Sequence, residues 1–129
     1  MVMEAEILGV RIRRRSRREA LESLRERLDS PGPSSVFFVH AATANAAFED
    51  AAYRAAINRG DLVFHDGIGV RWAGHSRGLR LDDNLVGTDL IPQLLAQAFE
   101  RPLRVYLLGG RPGVAERAAA HIGERYPGV

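Results

Sequence analysis

Asp66-Gly67-Ile68-Gly69 is the stretch whose residue types and spacing can carry chemistry. It follows the short apolar run Leu62-Val63-Phe64, and the apolar spacing after it is helical. A carboxylate at the carboxyl end of a strand stands where open α/β sheets bind their ligands. An aspartate is ionised at neutral pH unless buried, and within hydrogen-bond reach of a proton it can act as general base. The commoner use of Asp-Gly is a turn in which the side chain bonds nearby backbone. Gly67 and Gly69 weigh on the other side, because closely spaced glycines let a ligand approach the main chain.

Three further groups invite a chemical reading. Gly87-Thr88-Asp89 sets a hydroxyl and a carboxylate at the start of a helix. Thr88 suits the cap, Asp89 the positive helix end, and Pro92 a first turn; a plain helix cap explains the segment equally. Gly109-Gly110-Arg111-Pro112-Gly113 is a strand-to-helix turn whose amides suit a phosphate. It departs from G-x-G-x-x-G, and a tight βα turn accounts for it as well. His40, Thr43 and Asn45 follow the second apolar run and suit a sugar or pyrophosphate, or the capping of a helix with Asn45 as its N-cap. His40, His65, His75 and His121 show no metal-ligand spacing, so no metal is expected. Arg11, Arg13, Arg14, Arg15, Arg17 and Arg18 form the densest charge cluster. No aromatic interleaving or recognised motif supports a nucleic-acid partner. An anionic membrane surface, worth about 1 kcal/mol per nearby cation, competes with a solvated helix start.

The elements that must position these residues follow from the rest of the chain. Its 129 residues are 46% apolar and 26% charged, the balance of one globular domain or part of one. Cysteine is absent, which excludes disulfides, thiolate metal sites and a cysteine nucleophile. All 18 basic residues are arginine, so lysine Schiff-base chemistry and the P-loop lysine are excluded too. No apolar run can span a bilayer and no signal-peptide block opens the chain, so a cytoplasmic protein is expected.

Glu4 to Ile12 reads as one strand, and Ser16 to Glu19 as a capping box opening a helix with Leu21, Leu24 and Leu28. Val36–Val39 reads as a buried parallel strand. A helix lined by Phe48, Ala52, Ala55 and Ala56 ends at Gly60. Asp61 to His65 is a third strand and Ile68 to Gly74 a helix; residues 77–85 are irregular or a small hairpin. Leu90, Leu94, Leu95 and Ala98 give the buried side of the helix after Gly87. Leu103 to Leu108 is a fourth strand, and a helix from Pro112 carries Ala115, Ala118, Ala119 and Ile122. This order predicts an α/β fold: a Rossmann-like, doubly wound parallel sheet of about four strands with helices on both faces. Residues 1–129 form one domain in this reading, and the ending at Tyr126-Pro127-Gly128-Val129 reads as a truncated carboxyl terminus.

Taken as a set, these segments resemble the WecB/TagA/CpsF glycosyltransferase family. The resemblance is carried by Asp61-Leu62-Val63 leading to Asp66-Gly67-Ile68-Gly69-Val70, then Gly87-Thr88-Asp89-Leu90. Leu107-Leu108-Gly109-Gly110 with Pro112-Gly113-Val114-Ala115-Glu116, and Arg125-Tyr126-Pro127-Gly128, complete it. The resemblance implies a bacterial enzyme of surface-polysaccharide or teichoic-acid assembly. Such an enzyme transfers N-acetylmannosamine or a related sugar from a UDP donor to a polyprenyl-pyrophosphate-linked acceptor, with inversion and without divalent metal. It implies Asp66 as general base, with Thr43, Asn45, Gly67, Gly69, Thr88, Asp89, Gly109 and Gly110 around the substrates. The family's Thr-x-Asn signature falls on Thr43-Ala44-Asn45, or His40 marks that position instead. Asn84 stands where many members have arginine. No cofactor is expected. The partners implied are the nucleotide-sugar and the lipid-linked acceptor, with a peripheral position at the inner membrane face; an oligomer is left open. The alternatives are a truncated, non-catalytic nucleotide-sugar-binding fragment and another Rossmann-like nucleotide-binding module, the latter resting on Gly109-Gly110 alone.

Overall fold

The structure, a computed structural model, describes residues 3–81 and 83–129. The chain divides into two compact units, one ending at Leu90 and one running Ile91–Val129.

The first unit opens with two strands where the sequence reading has one. Glu4 to Ile12 is an antiparallel hairpin, β1 (Met3–Ile7) paired with β2 (Val10–Arg14). Leu8 and Gly9 turn the chain with φ of 51° and 79°, the signature of a two-residue type I′ turn. The reason is parity. Successive strand residues alternate faces, so Ile7 and Val10 share a face only if the chain reverses between them. With the reversal, Ala5 pairs with Ile12 and Ile7 with Val10, and all four are buried. Glu4 then stands opposite Arg13, and Glu6 opposite Arg11, on the other face.

The capping box forms as read: Ser16 N–H donates to Glu19 Oε2 at 2.7 Å, and Glu19 N–H to Ser16 Oγ at 3.3 Å. It opens α1 (Arg17–Asp29), which buries Ala20, Ser23 and Leu24, while Leu28 is exposed. β3 (Val36–Val39) and β4 (Leu62–His65) then pair in parallel, Val36 beside Leu62 and Val39 beside His65.

The connection between them is helical from its first residue. α2 (Ala41–Glu49) takes His40 as N-cap, and α3 (Ala51–Asn58) restarts at Asp50. Asp50 Oδ1 accepts from the amides of Ala52 and Tyr53 at 2.8 and 3.0 Å. Asn45 is therefore inside α2 and not its cap, and Phe48 faces solvent. α4 (Ile68–Ser76) follows β4, and residues 77–86 form no hairpin among those described.

Apolar residues pack on both faces of the β3–β4 pair. Val39 and Val63 join Ala44, Ala47, Ile57, Val70 and Leu81 in one core with the hairpin. On the other face the Phe38 and Phe64 rings lie 5.8 Å apart, and Gly87 lies beside Phe38, where a Cβ would make ordinary contact with the ring at 3.5 Å. Every residue of β4 is buried, which is why its apolar run is unbroken; β3, expected to be buried, buries only Val39 and leaves Phe37 exposed.

α5 (Gly87–Leu95) continues into a 3₁₀ turn, Ala96–Phe99, with Leu95 and Ala98 buried. In the second unit Leu103 to Leu108 is not a strand. A strand is held by its neighbour's ladder, and among the described residues this run has none beyond Leu103 N–H to the Gly128 carbonyl at 2.8 Å. Tyr106 and Leu108 are 87% and 89% exposed. α6 (Val114–Arg125) begins two residues after Pro112 and has no buried residue. A groove of about 560 Å³ separates the run from α6, lined by Leu103, Tyr106, Leu107, Ala119 and Ile122 among others. The architecture is thus mixed α/β, with one antiparallel and one parallel two-stranded sheet among the described residues.

Candidate active site

Two aspartates bracket β4 and differ in what holds them. At the amino end, Asp61 Oδ2 accepts from Ser35 N–H at 2.9 Å, and Oδ1 meets Arg27 Nη1 at 3.3 Å. The Ser35 amide holds the Asp61 carboxyl below its ordinary range, with Arg27 adding to the effect. That carboxylate ties the starts of two strands together. At the carboxyl end, Asp66 N–H continues the ladder to the Val39 carbonyl at 2.8 Å. The Asp66 carboxylate is partly buried, and among the described residues it makes no side-chain hydrogen bond or ion pair. The turn reading, in which Asp66 bonds its own backbone, is therefore not what forms.

Gly67 is the N-cap of α4, with φ of 83° and no side-chain cap. A glycine is needed there, since other residues reach that region only with strain. The result is a helix start whose first amides no side chain of the cap residue occupies, beside Asp66. Gly69 does something different from the sequence reading. A Cβ on it would lie 3.2 Å from Ala41 Cβ, so it lets the starts of α4 and α2 approach each other. Thr43 sits in the first turn of α2, after the carboxyl end of β3. Its amide donates to His40 Nδ1 at 3.3 Å, so His40 caps the helix. Asp66, Gly67, Gly69 and Thr43 thus gather at the carboxyl edge of the parallel pair. Asn45 lies further along α2, exposed.

The segment before α5 is bound to this edge. Gly67 N–H donates to Asn84 Oδ1 at 3.3 Å, and the buried His65 bonds through Nε2 to the Asp83 carbonyl. Arg17 N–H donates to Asp83 Oδ2 at 2.6 Å, and Arg17 Nη2 reaches the Asn84 carbonyl at 3.4 Å and Asp89 Oδ2 at 3.7 Å. Thr88 is not the helix cap: the Val86 carbonyl accepts from the Asp89 and Leu90 amides, so α5 starts earlier. Asp89 lies in the first turn, as its charge favours. Pro92 falls one turn later than expected, and supplies no amide to the Thr88 carbonyl. His65, Asp83 and Arg17 were missed as site-shaping residues. Only the adjacency of His65 to Asp66 was available as a signal.

In the second unit, Gly109 and Gly110 have φ of 113° and 83°, and Gly113 caps α6 in the left-handed region. The glycines turn the chain into α6 without a side-chain cap, but no strand precedes them among the described residues, so the strand-to-helix turn of the sequence reading is only half formed. Among the described residues no three His, Asp or Glu side chains group as a metal site, and no helix is long and apolar enough to cross a membrane.

The Glycosyl transferase WecG/TagA/CpsF family matches residues 5–129. The chain belongs to that family. It is similar to an N-acetylglucosaminyldiphosphoundecaprenol N-acetyl-beta-D-mannosaminyltransferase of Staphylococcus aureus (strain NCTC 8325 / PS 47). There the identity is 27% over 128 residues, 98% of this chain and 50% of the relative. A protein of the same name from Bacillus subtilis (strain 168) is 28% identical over 84 residues, 65% of this chain and 33% of the relative. The chain spans half or less of the length of these relatives.

Proposed function

We propose that this chain is part of an inverting glycosyltransferase that moves N-acetylmannosamine or a related sugar from a UDP donor to a polyprenyl-pyrophosphate-linked acceptor. The observation that carries the reading is the unengaged Asp66 carboxylate beside the glycine-capped start of α4, in a chain of this family. Asp66 takes the proton from the acceptor hydroxyl as that oxygen attacks the anomeric carbon. The new carbon–oxygen bond forms on the face opposite UDP, the bond to the pyrophosphate breaks, and the configuration inverts. Helix-start amides, those of α4 first, receive the charge that develops on the departing pyrophosphate. Thr43, Asn45, Thr88 and Asp89 contact donor or acceptor, and Gly109 and Gly110 leave room for a phosphate. No metal is required. The chain works within one catalytic domain, at the cytoplasmic face of the membrane that holds the acceptor. The β3–α2–α3–β4 unit is the kind from which a doubly wound parallel sheet is assembled, and we extend that architecture to the whole enzyme.

The test is Asp66→Asn, assayed by UDP release from UDP-N-acetylmannosamine with a lipid-linked N-acetylglucosamine acceptor. Loss of the base should lower turnover by about 10²–10⁴-fold, with donor binding and thermal unfolding unchanged. Turnover near that of the wild type would remove Asp66 from the role.

A further inference from the structure

We propose that His65 is a positioning residue for the transfer: an imidazole, protonated on Nε2 alone, that fixes Asp66 against the loop leading into α5. The inference rests on the transferase reading of Asp66. The residues on either side of Asp66 both hold that loop. His65 bonds to the Asp83 carbonyl, and Gly67 N–H donates to Asn84 Oδ1. Asp66 therefore sits inside a two-point clamp, and three residues beyond Asn84 the chain enters Gly87-Thr88-Asp89.

The protonation follows from the partner. A carbonyl oxygen only accepts, so Nε2 must carry the hydrogen. Nδ1 is then a bare acceptor, and it is buried without a partner among the described residues, in a side chain that is 1% exposed. A buried polar atom without a partner calls for an explanation, since an apolar side chain would fill the same space at lower cost. The Nε2–H bond is what an apolar residue would lose. Asp66, Asp83 and, from α4, Arg71 are the charged groups that act on the ring, and Asp83 is itself held through the Arg17 amide.

The test compares wild type, His65→Leu and His65→Gln in the full chain. Glutamine keeps an N–H donor at similar reach; leucine does not. Long-range ¹H–¹⁵N spectra of the wild type at neutral pH should show the Nε2–H tautomer, and an Nδ1–H tautomer or a doubly protonated ring overturns the assignment. His65→Leu should lose about 10–100-fold in kcat with donor KM little changed, because misplacing a reacting group by about 1 Å costs that order of rate. His65→Gln should recover most of the loss. Equal loss in both variants, or a change in KM alone, overturns it. Wild-type protein without UDP-sugar turnover fails the transferase reading instead. The clamp is then judged by the Gly67 and Thr88 amide resonances, which should move in His65→Leu and return in His65→Gln; unmoved resonances overturn it.

Discussion

Asp61 and Asp66 have the same side chain and bound the same strand, yet only Asp66 is left for chemistry. Nothing local in the sequence separates them. The amide that engages Asp61 belongs to Ser35, 26 residues earlier, and only parallel pairing brings it there. His65 is equally opaque: it is fully buried, and its partner lies 18 residues on. Burial pushes the imidazole below the ordinary histidine value, against the raising effect of its bond to Asp83. Between the lowered folded value and the ordinary one near 6.5, the unfolded chain binds more protons than the folded one, so stability rises with pH there. The contribution is complete above about pH 6.5 and is lost as pH falls through that window. Thermal midpoints recorded from pH 7.5 to 5 should fall accordingly, and His65→Gln should flatten the slope. A midpoint that climbs toward pH 5 would contradict the buried neutral ring. Glu19 and Asp61, both held low by serine donors, add a further loss in the same direction at lower pH.

At the level of elements, legibility followed local chemistry. The α1 capping box and the β4–Gly67–α4 passage announce themselves through adjacent residues, and each forms; of the turn before α6, the glycines and the helix form but not the strand. The hairpin was legible in principle, because Ile7 and Val10 break the two-residue period around Gly9; read as one strand, they cannot share a face. The break between α2 and α3 was not, since no glycine or proline marks it and the alanine-rich pattern runs on. Asp50 makes the break by offering its carboxylate to two amides that would otherwise continue one helix. Asp50→Ala should therefore lower stability by about 1 kcal/mol, the usual worth of an N-cap. A denaturation midpoint unchanged from the wild type would show that α3 does not depend on its cap.

For the whole molecule, the two units differ in how much of their backbone is paired. The Leu103 to Leu108 run has the composition of a strand, but a strand is a property of neighbours, and composition cannot supply one. Amide hydrogen exchange should make the contrast visible: residues 37–39 and 62–65 protected, residues 104–108 exchanging fast. Strong protection over 104–108 would mean that this run is paired in solution. The loop between α4 and α5 shows the opposite economy. Its described residues have no regular structure, yet the carbonyls of Arg80, Leu81, Asp83 and Asn84 are bound by Arg14, Arg71, His65 and Arg17 respectively. Those four donors sit on β2, α4, β4 and α1. A carbonyl is the same whatever side chain its residue carries, so these four anchors of the loop's path are encoded outside the loop, beside those that its own buried Leu81 and Leu85 and its Asp83 and Asn84 side chains supply. Drift at an exposed loop position such as Arg80 leaves that path intact, while one exchange in a distant helix or strand redraws it. Directed evolution aimed at reshaping the edge beside Asp66 therefore has to include those four scattered positions along with the loop they hold.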